Sequence, residues 1–216
     1  MTLTTELAAV RREIERLAPD REVTLVAVTK GHPIEVARAA YAEGLRVLGE
    51  NYAQDLVAKA PQLPDDVQWH FIGRLQRNKV KALAAHVALW QSVDRPSVVR
   101  EIAKRAPGAA VLIQPNLADD PTKGGCPRDE TAALVSEAQQ AGLDVQGLMG
   151  VGIFGDRERT ADAFAWLVAA ADRLELPVRS IGMTDDMDLA LSAGSTMVRV
   201  GRSLFGERPA PPPRRH

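Results

Sequence analysis

The chain has 216 residues, of which 27 are basic, 28 are acidic and 45% are apolar, and its formal net charge is −1. This length and composition are typical of a soluble globular protein and exclude disordered and collagen-like chains. A net charge so close to zero gives no bulk attraction to nucleic acid or to an anionic membrane. The single cysteine, Cys126, excludes an internal disulfide.

The N-terminal segment has acidic residues at Glu6, Glu13 and Glu15, so it lacks the basic stretch and apolar core of a secretory signal. No apolar run reaches the roughly 18 residues that a membrane-spanning helix requires. We therefore expect a cytoplasmic protein that binds neither nucleic acid nor membrane. We also expect a monomer rather than a dimer.

The first part of the chain changes from a helical to a strand-like pattern. Apolar residues spaced by three and four from Leu3 to Leu17 predict a helix over 3–18, which Pro19 ends. The segment 22–29 (EVTLVAVT) is instead a short, nearly continuous apolar run rich in β-branched residues. That pattern is typical of a strand buried on both faces of a parallel sheet.

The alternation of strand and helix continues to the end of the chain. Further strands are predicted at 46–49, 67–72, 87–93, 109–115, 145–151, 178–183 and 196–201. Helices are predicted at 33–43, 51–60, 77–85, 96–106, 129–141, 157–174 and 185–193. Parallel strands require such crossovers, and no Pro-, Gly- or Ser-rich linker divides the chain, so the pattern indicates one α/β domain.

Two closures fit such a repeat: an open doubly wound sheet and a closed (β/α)₈ TIM barrel. About eight strand–helix units favour the barrel, and no G-x-G-x-x-G follows the first strand, which argues against a dinucleotide-binding sheet. We predict a barrel over 1–207 and a disordered Pro/Arg tail over 208–216. Functional residues should then follow the carboxyl ends of the strands.

Lys30 ends the first predicted strand and shares one face with Val26 and Val28. If that face looks into the barrel, partial desolvation lowers the pKa of the lysine and makes its amine nucleophilic toward carbonyl groups. The alternative is an ordinary lysine that ends a strand and extends into water.

Arg199 lies inside the last predicted strand (TMVRVG) and shares a face with Gly201. Burying such a charge is costly unless it is paired. In a barrel the first and last strands are neighbours, so Arg199 and Lys30 could look into one pocket. A pairing of Arg199 with a carboxylate on an outer helix is an equally open interpretation.

The loops after strands seven and eight are the usual phosphate-binding elements of these barrels. The first contains Met183 and Thr184, and Thr184 or Asp185 could cap the next helix; the second contains Gly201 and Arg202. Capping alone is the alternative for each loop.

Asn51 follows the second predicted strand, and His70 lies within the third. Each is a candidate site residue. Taken alone, each residue of this kind is more often a structural hydrogen-bonding residue or a helix cap.

Several motifs occur together in a fixed order: VAVTKGHP, GENYAQD, WHFIGRLQRNK, GMTDDMDLAL and AGSTMVRVGRSLFG. With these motifs the chain resembles the pyridoxal phosphate homeostasis proteins, also called pyridoxal-phosphate-binding proteins, from about residue 5 to 207. The resemblance implies a barrel similar to the N-terminal domain of alanine racemases.

The resemblance also implies a cofactor, pyridoxal 5′-phosphate (PLP), held as an internal aldimine on Lys30. It implies phosphate contacts from the region of Met183 and Thr184 and from the loop of Gly201, with Arg199 facing the pyridine nitrogen. Asn51 and His70 fall on family motif positions near the cofactor. The family is regarded as binding, buffering or delivering PLP, with PLP-dependent apo-enzymes as candidate recipients.

Two departures from the family pattern affect the expected phosphate site. Thr184 replaces the usual serine and keeps its hydroxyl group. Arg202 replaces the usual threonine, so one hydroxyl contact is lost, although a guanidinium group could replace it.

Alanine racemases take a tyrosine base from a second domain and a partner subunit. This chain has only Tyr41 and Tyr52 and no second predicted domain. We therefore expect PLP binding and vitamin B6 homeostasis without robust catalysis. A PLP-dependent racemase-like enzyme is the alternative, and a Schiff-base aldolase barrel without PLP is a third hypothesis.

Overall fold

The computed structural model of the protein describes residues 2–207. The predicted tail over 208–216 lies outside the described residues. The strands are β1 (Thr24–Val28), β2 (Val47–Glu50), β3 (Gln68–Phe71), β4 (Val87–Val93), β5 (Ala110–Ile113), β6 (Asp144–Met149), β7 (Val178–Ser180) and β8 (Met197–Val200). The helices are α1 (Leu3–Leu17), α2 (Ile34–Ala42), α3 (Ala53–Lys59), α4 (Val80–Leu83), α5 (Pro96–Arg105), α6 (Thr131–Gln140), α7 (Arg157–Arg173), α8 (Met187–Ala193) and α9 (Arg202–Phe205).

The strands form a closed barrel in the order β1 to β8, and every pair is parallel. The predicted (β/α)₈ fold is therefore confirmed. Pairing of β8 with β1 closes the barrel and sets Val26 beside Arg199. This register places the first and the last strand of the chain side by side.

Apolar side chains fill the barrel axis and the layer between strands and helices. The interior cluster draws one residue from each of five strands: Val26, Leu89, Leu112, Met149 and Met197. A larger cluster lies between the strands and the outer helices and includes Trp90 and Phe164, both fully buried. Close packing on both faces of the strands explains their nearly continuous apolar sequences.

Several helices differ from the sequence prediction. The segment predicted as helix 129–141 begins with a 3₁₀ turn, Arg128–Glu130, and α9 was not predicted. The segment 77–85 divides into a 3₁₀ turn, Arg77–Lys79, and the short helix α4, because the Val80 N–H bonds to the Arg77 carbonyl three residues back. The helix predicted from 185 begins at Met187, because the Asp186 carboxylate accepts the Met183 N–H and closes a turn first. The N-cap residue is thus Asp186, so the prediction of Thr184 or Asp185 was wrong.

Within residues 2–207, none of the helices combines the length and the apolar character that crossing a membrane requires.

A buried ion pair lies behind the end of β1, between the barrel and α3. The Lys59 ammonium is 2.6 Å from a carboxylate oxygen of Glu50 and donates to the Thr29 carbonyl at 2.9 Å. The same Glu50 oxygen accepts the Thr29 hydroxyl at 2.8 Å. Burial raises the pKa of Glu50, although its hydrogen bond and charge interaction with Lys59 oppose the shift. The carbonyl that Lys59 holds belongs to the residue just before Lys30.

We predict that Lys59→Met lowers the free energy of unfolding by about 3–5 kcal/mol near neutral pH, because a fully buried Glu50 charge loses its partner. The raised pKa means that the folded state binds the Glu50 proton more readily than the unfolded chain does. Destabilisation should therefore shrink as the pH falls and Glu50 becomes protonated. Urea unfolding at pH 7 and pH 4.5 measures both effects.

The matched control is Arg100→Met, which removes the exposed ion pair of Arg100 with Glu137. We expect a loss of about 1 kcal/mol or less from this variant. Equal losses from both variants would contradict the account of the buried pair.

Candidate cofactor site

A cavity of about 450 Å³ opens at the carboxyl ends of β1, β7 and β8. Most of the residues predicted from the sequence line it: Lys30, Met183, Thr184, Arg199, Gly201 and Arg202. Its volume lies within the usual range for small-molecule sites. Its position at the carboxyl ends of the strands is where (β/α)₈ barrels carry their functional sites.

Lys30 reaches the cavity because side chains alternate along β1 and the turn that follows it. Val26 belongs to the interior cluster, and Val28 and Lys30 line the cavity above it. The intervening Thr29 points outward to Glu50 and is completely buried. The backbone that carries Lys30 is therefore held from outside the barrel, while its side chain borders the cavity.

Arg199 is 4% exposed and donates all of its described hydrogen bonds to uncharged oxygens. Its guanidinium bonds to the Ser180 carbonyl at 2.6 Å, the Ser180 hydroxyl at 2.7 Å and the Gly150 carbonyl at 2.7 Å. Burial lowers the pKa of Arg199 to about 10, with the nearby Asp186 charge opposing the shift. The group is thus cationic at neutral pH without an ion pair to any residue within 2–207.

The turn after β7 is shaped by Gly182 and Asp186. Gly182 has a φ of +100°, a conformation that favours glycine, and a Cβ there would lie 2.6 Å from Ala190. The Asp186 carboxylate holds the Met183 N–H at 2.6 Å, and burial raises the pKa of Asp186 despite this bond. The turn thus presents Met183 and Thr184 at the cavity.

The turn after β8 contributes Gly201 and Arg202. The Arg202 guanidinium forms an ion pair with Asp185, so it joins the two turns across the cavity rim. Both side chains are more than half exposed. The sequence suggested that the Arg202 guanidinium could replace a phosphate-binding hydroxyl. In the structure this guanidinium pairs with the Asp185 carboxylate, so a phosphate group would have to share it with that carboxylate.

His70 and Asn51 are not among the residues that line the cavity in the described part of the chain. His70 is 4% exposed inside β3, and its Nδ1 lies 2.8 Å from the Gln91 amide nitrogen. The Asn51 side-chain oxygen is buried without a partner among residues 2–207. Gly73 packs so closely against the Asn51 backbone that a Cβ there would lie 1.9 Å from the Asn51 backbone carbonyl oxygen. A direct cofactor contact of either residue stays a prediction.

Sequence reasoning missed three residues that belong to this region. His32 lines the cavity, and Gln91 and Ser180 are completely buried polar residues that connect His70 to Arg199. The available signal was a polar residue inside an apolar strand, as in VALWQSV over 87–93. That pattern predicts a buried polar group but does not predict which residue is its hydrogen-bond partner.

The arrangement combines a primary amine, a buried cation and hydroxyl or backbone groups at two strand-end turns. An amine can condense with a carbonyl group, and a buried cation attracts an anion or a lone pair. The site therefore defines a barrel suited to an anionic carbonyl compound.

Comparison with known proteins identifies the protein family. The family described as "Alanine racemase, N-terminal domain" matches residues 5–209. A protein of Deinococcus radiodurans named pyridoxal phosphate homeostasis protein is 42% identical over 188 residues, which cover 85% of this chain and 88% of that protein. A protein of the same name from Schizosaccharomyces pombe is 35% identical over 96% of this chain and 93% of that protein. The chain belongs to the pyridoxal phosphate homeostasis protein family.

A solved structure gives the same relationship in three dimensions. PipY of Synechococcus elongatus, determined with PLP bound, superposes with a TM-score of 0.85 at 30% sequence identity. The match covers 95% of this chain and 100% of that chain.

We predict a pH-dependent loss of stability that comes from His70. Burial lowers the pKa of His70 from 6.5 to about 4, so the unfolded chain takes up the proton first as the pH falls. The free energy of unfolding should fall between about pH 6.5 and pH 4, by about 3 kcal/mol in all. Urea unfolding of wild type and His70→Gln across this range measures the difference.

The wild-type protein should show the steeper loss on acidification, and the ring resonances of His70 should keep their neutral positions at pH 5. A ring that is protonated at pH 5 in the folded protein would contradict the effect of burial.

Proposed function

We propose that this protein binds PLP at the cavity, covalently through Lys30, and serves vitamin B6 homeostasis as a carrier or buffer of PLP without robust catalysis. One observation carries the proposal: the Lys30 side chain and the buried, permanently charged Arg199 border the same 450 Å³ cavity. The family and the PLP-bound PipY structure support it.

The residues present fit this cofactor. Lys30 would supply the primary amine that holds the carbonyl group of the cofactor, and Thr184 and the turn of Gly201 border the cavity where its phosphate group would be held. The buried Arg199 cation lacks an ion-pair partner among the described residues and suits a pyridine nitrogen lone pair. When bound in this way, PLP supplies a carbonyl carbon and an electron-withdrawing ring.

Arg199 also bears on whether turnover follows. A carboxylate at the pyridine nitrogen would favour its protonation, whereas an arginine that stays charged disfavours it and leaves a weaker electron sink. The pKa of about 10 keeps Arg199 protonated at neutral pH. The site therefore offers a weaker electron sink, as in racemases, so Arg199 by itself does not separate a carrier from a racemase-like enzyme.

The tyrosines bear on the distinction between a carrier and a racemase. Among residues 2–207, neither Tyr41 nor Tyr52 lines the cavity. Tyr41 bonds to Asp66, and Tyr52 is 52% exposed beyond β2. A tyrosine base opposite Lys30 is thus missing from the cavity-lining residues within 2–207. We propose PLP-dependent apo-enzymes as recipients of the cofactor; transfer to such an enzyme in a coupled assay tests this step.

We predict that borohydride reduction in the presence of PLP places a pyridoxyl group on Lys30. Peptide mapping by mass spectrometry locates it, and the visible absorbance of the holo-protein should be lost in Lys30→Ala. Lys104→Ala is the matched control, since Lys104 is exposed on α5 and its loss should leave both readouts unchanged.

Labelling of other lysines with none on Lys30 would overturn the proposed attachment. Sustained conversion of L- to D-amino acids by the holo-protein, lost in Lys30→Ala, would favour the racemase-like alternative over a carrier.

We predict that Thr184→Val weakens binding of PLP about tenfold, as expected for a lost hydrogen bond to a charged group. Binding of pyridoxal, which lacks the phosphate, should change little. Thr184→Ser keeps the hydroxyl and should bind PLP like the wild type. Absorbance titrations with both compounds measure these affinities, and equal losses for PLP and pyridoxal would exclude a phosphate contact.

A further inference from the structure

We propose that Ser180 and Gln91 are positioning residues, which form a one-way hydrogen-bond relay that fixes the Arg199 guanidinium at the cavity and holds His70 as its Nε2–H tautomer. Neither Ser180 nor Gln91 lines the cavity in the described part of the chain. They act through Arg199, so their role at the cofactor rests on the proposed function. The relay itself is a property of the protein alone.

The direction of the relay begins at Arg199, because a guanidinium group donates hydrogen bonds and cannot accept them. It donates to the Ser180 hydroxyl oxygen at 2.7 Å. The Ser180 hydroxyl therefore uses its own proton for its other partner, the Gln91 carbonyl oxygen, at 2.7 Å. Strands β8, β7 and β4 are thus linked by bonds of one polarity.

Gln91 continues the same direction of hydrogen-bond donation to His70. With its carbonyl oxygen toward Ser180, its amide nitrogen lies 2.8 Å from Nδ1 of His70 and donates to it. Nδ1 must then be unprotonated, so the ring proton of neutral His70 sits on Nε2. The series of hydrogen-bond donors therefore begins at the charged Arg199 and determines the tautomer of His70.

The opposite amide orientation of Gln91 is disfavoured on two grounds. It would leave the proton of Ser180, a completely buried residue, without the Gln91 oxygen as its acceptor. It would also place a carbonyl oxygen against the Met197 sulfur, which the amide nitrogen now faces at 3.2 Å. Leaving a buried polar group unsatisfied is costly, so the observed orientation is the stable one.

The relay also determines which Arg199 donors remain for the cavity. A guanidinium has five N–H groups, and three are used by the two Ser180 oxygens and the Gly150 carbonyl. The remaining donors have no acceptor among residues 2–207. Because both Ser180 oxygens hold one nitrogen, the guanidinium plane is constrained, and these donors keep a constant direction relative to Lys30.

The first test reads the His70 tautomer directly in the cofactor-free protein. Two-dimensional ¹⁵N NMR distinguishes a bare ring nitrogen from a protonated one, and His70→Gln assigns the resonances. We expect a bare Nδ1 and a protonated Nε2 in the wild type. In Ser180→Ala the amide of Gln91 can turn over, so a protonated Nδ1 should become populated.

The matched control is Ser195→Ala. Ser195 is also completely buried, and its hydroxyl lies within 3.2 Å of the carbonyls of Arg179, Ile181 and Met197, without contact to Arg199 or Gln91. This variant also loses a buried hydroxyl and should keep the wild-type tautomer. A protonated Nδ1 in the wild type, or the same tautomer change in both variants, would overturn the relay.

The second test measures PLP binding by absorbance titration. Ser180→Ala should weaken PLP binding about tenfold and shift the absorbance maximum of the bound cofactor, whereas Ser195→Ala should do neither. Equal effects of the two variants would overturn the positioning role. Failure of PLP to label Lys30 would remove the proposed function and leave the tautomer result standing, so the two failures are distinguishable.

Discussion

The structure depends on keeping one positive charge, that of Arg199, inside a closed parallel barrel. Moving a guanidinium group from water into a protein interior is costly unless hydrogen bonds replace its hydration. Ser180 of β7 and Gly150, which follows β6, supply three such bonds. They leave the charge intact, since its pKa falls only to about 10, and an ion pair within the described chain is not used to neutralise it. The cavity beside it is thus prepared for an electron-rich group.

Barrel closure places this charge at the same cavity as Lys30. The pairing of β8 with β1 aligns Arg199 with Val26, and Lys30 follows four residues later along the same face. Two groups from opposite ends of the chain therefore line one cavity. The turns after β7 and β8 complete the cavity and are joined by the ion pair of Asp185 with Arg202.

Polar groups on the two faces of the strands have separate tasks. Outside the barrel, Glu50 and Lys59 hold Thr29 and so fix the backbone that carries Lys30. Inside the barrel, the relay through Gln91 holds Arg199. Both hydrogen-bond networks are buried. A hydrogen bond left unmade costs most in such a buried environment, so each network restricts the site to one geometry. A buried ion pair adds little net stability, which is consistent with a positioning role for Lys59.

The sequence by itself predicted the barrel and the order of its strands, because a strand buried on both faces has a distinctive apolar pattern and the crossovers enforce parallel order. The predicted strand ends were less accurate: the seventh strand was predicted over 178–183 but is Val178–Ser180. It also predicted Lys30 and the two turns at one mouth, since each ends or follows a strand, but it left open whether Arg199 faces the barrel interior or an outer helix. Only the tertiary structure decided that Gln91 meets Ser180, which is 89 residues away in the chain, and that Asn51 and His70 do not line the cavity. The physical reason is that a strand's period determines which face a side chain takes, whereas partners across the barrel depend on register and diameter, which local patterns do not encode.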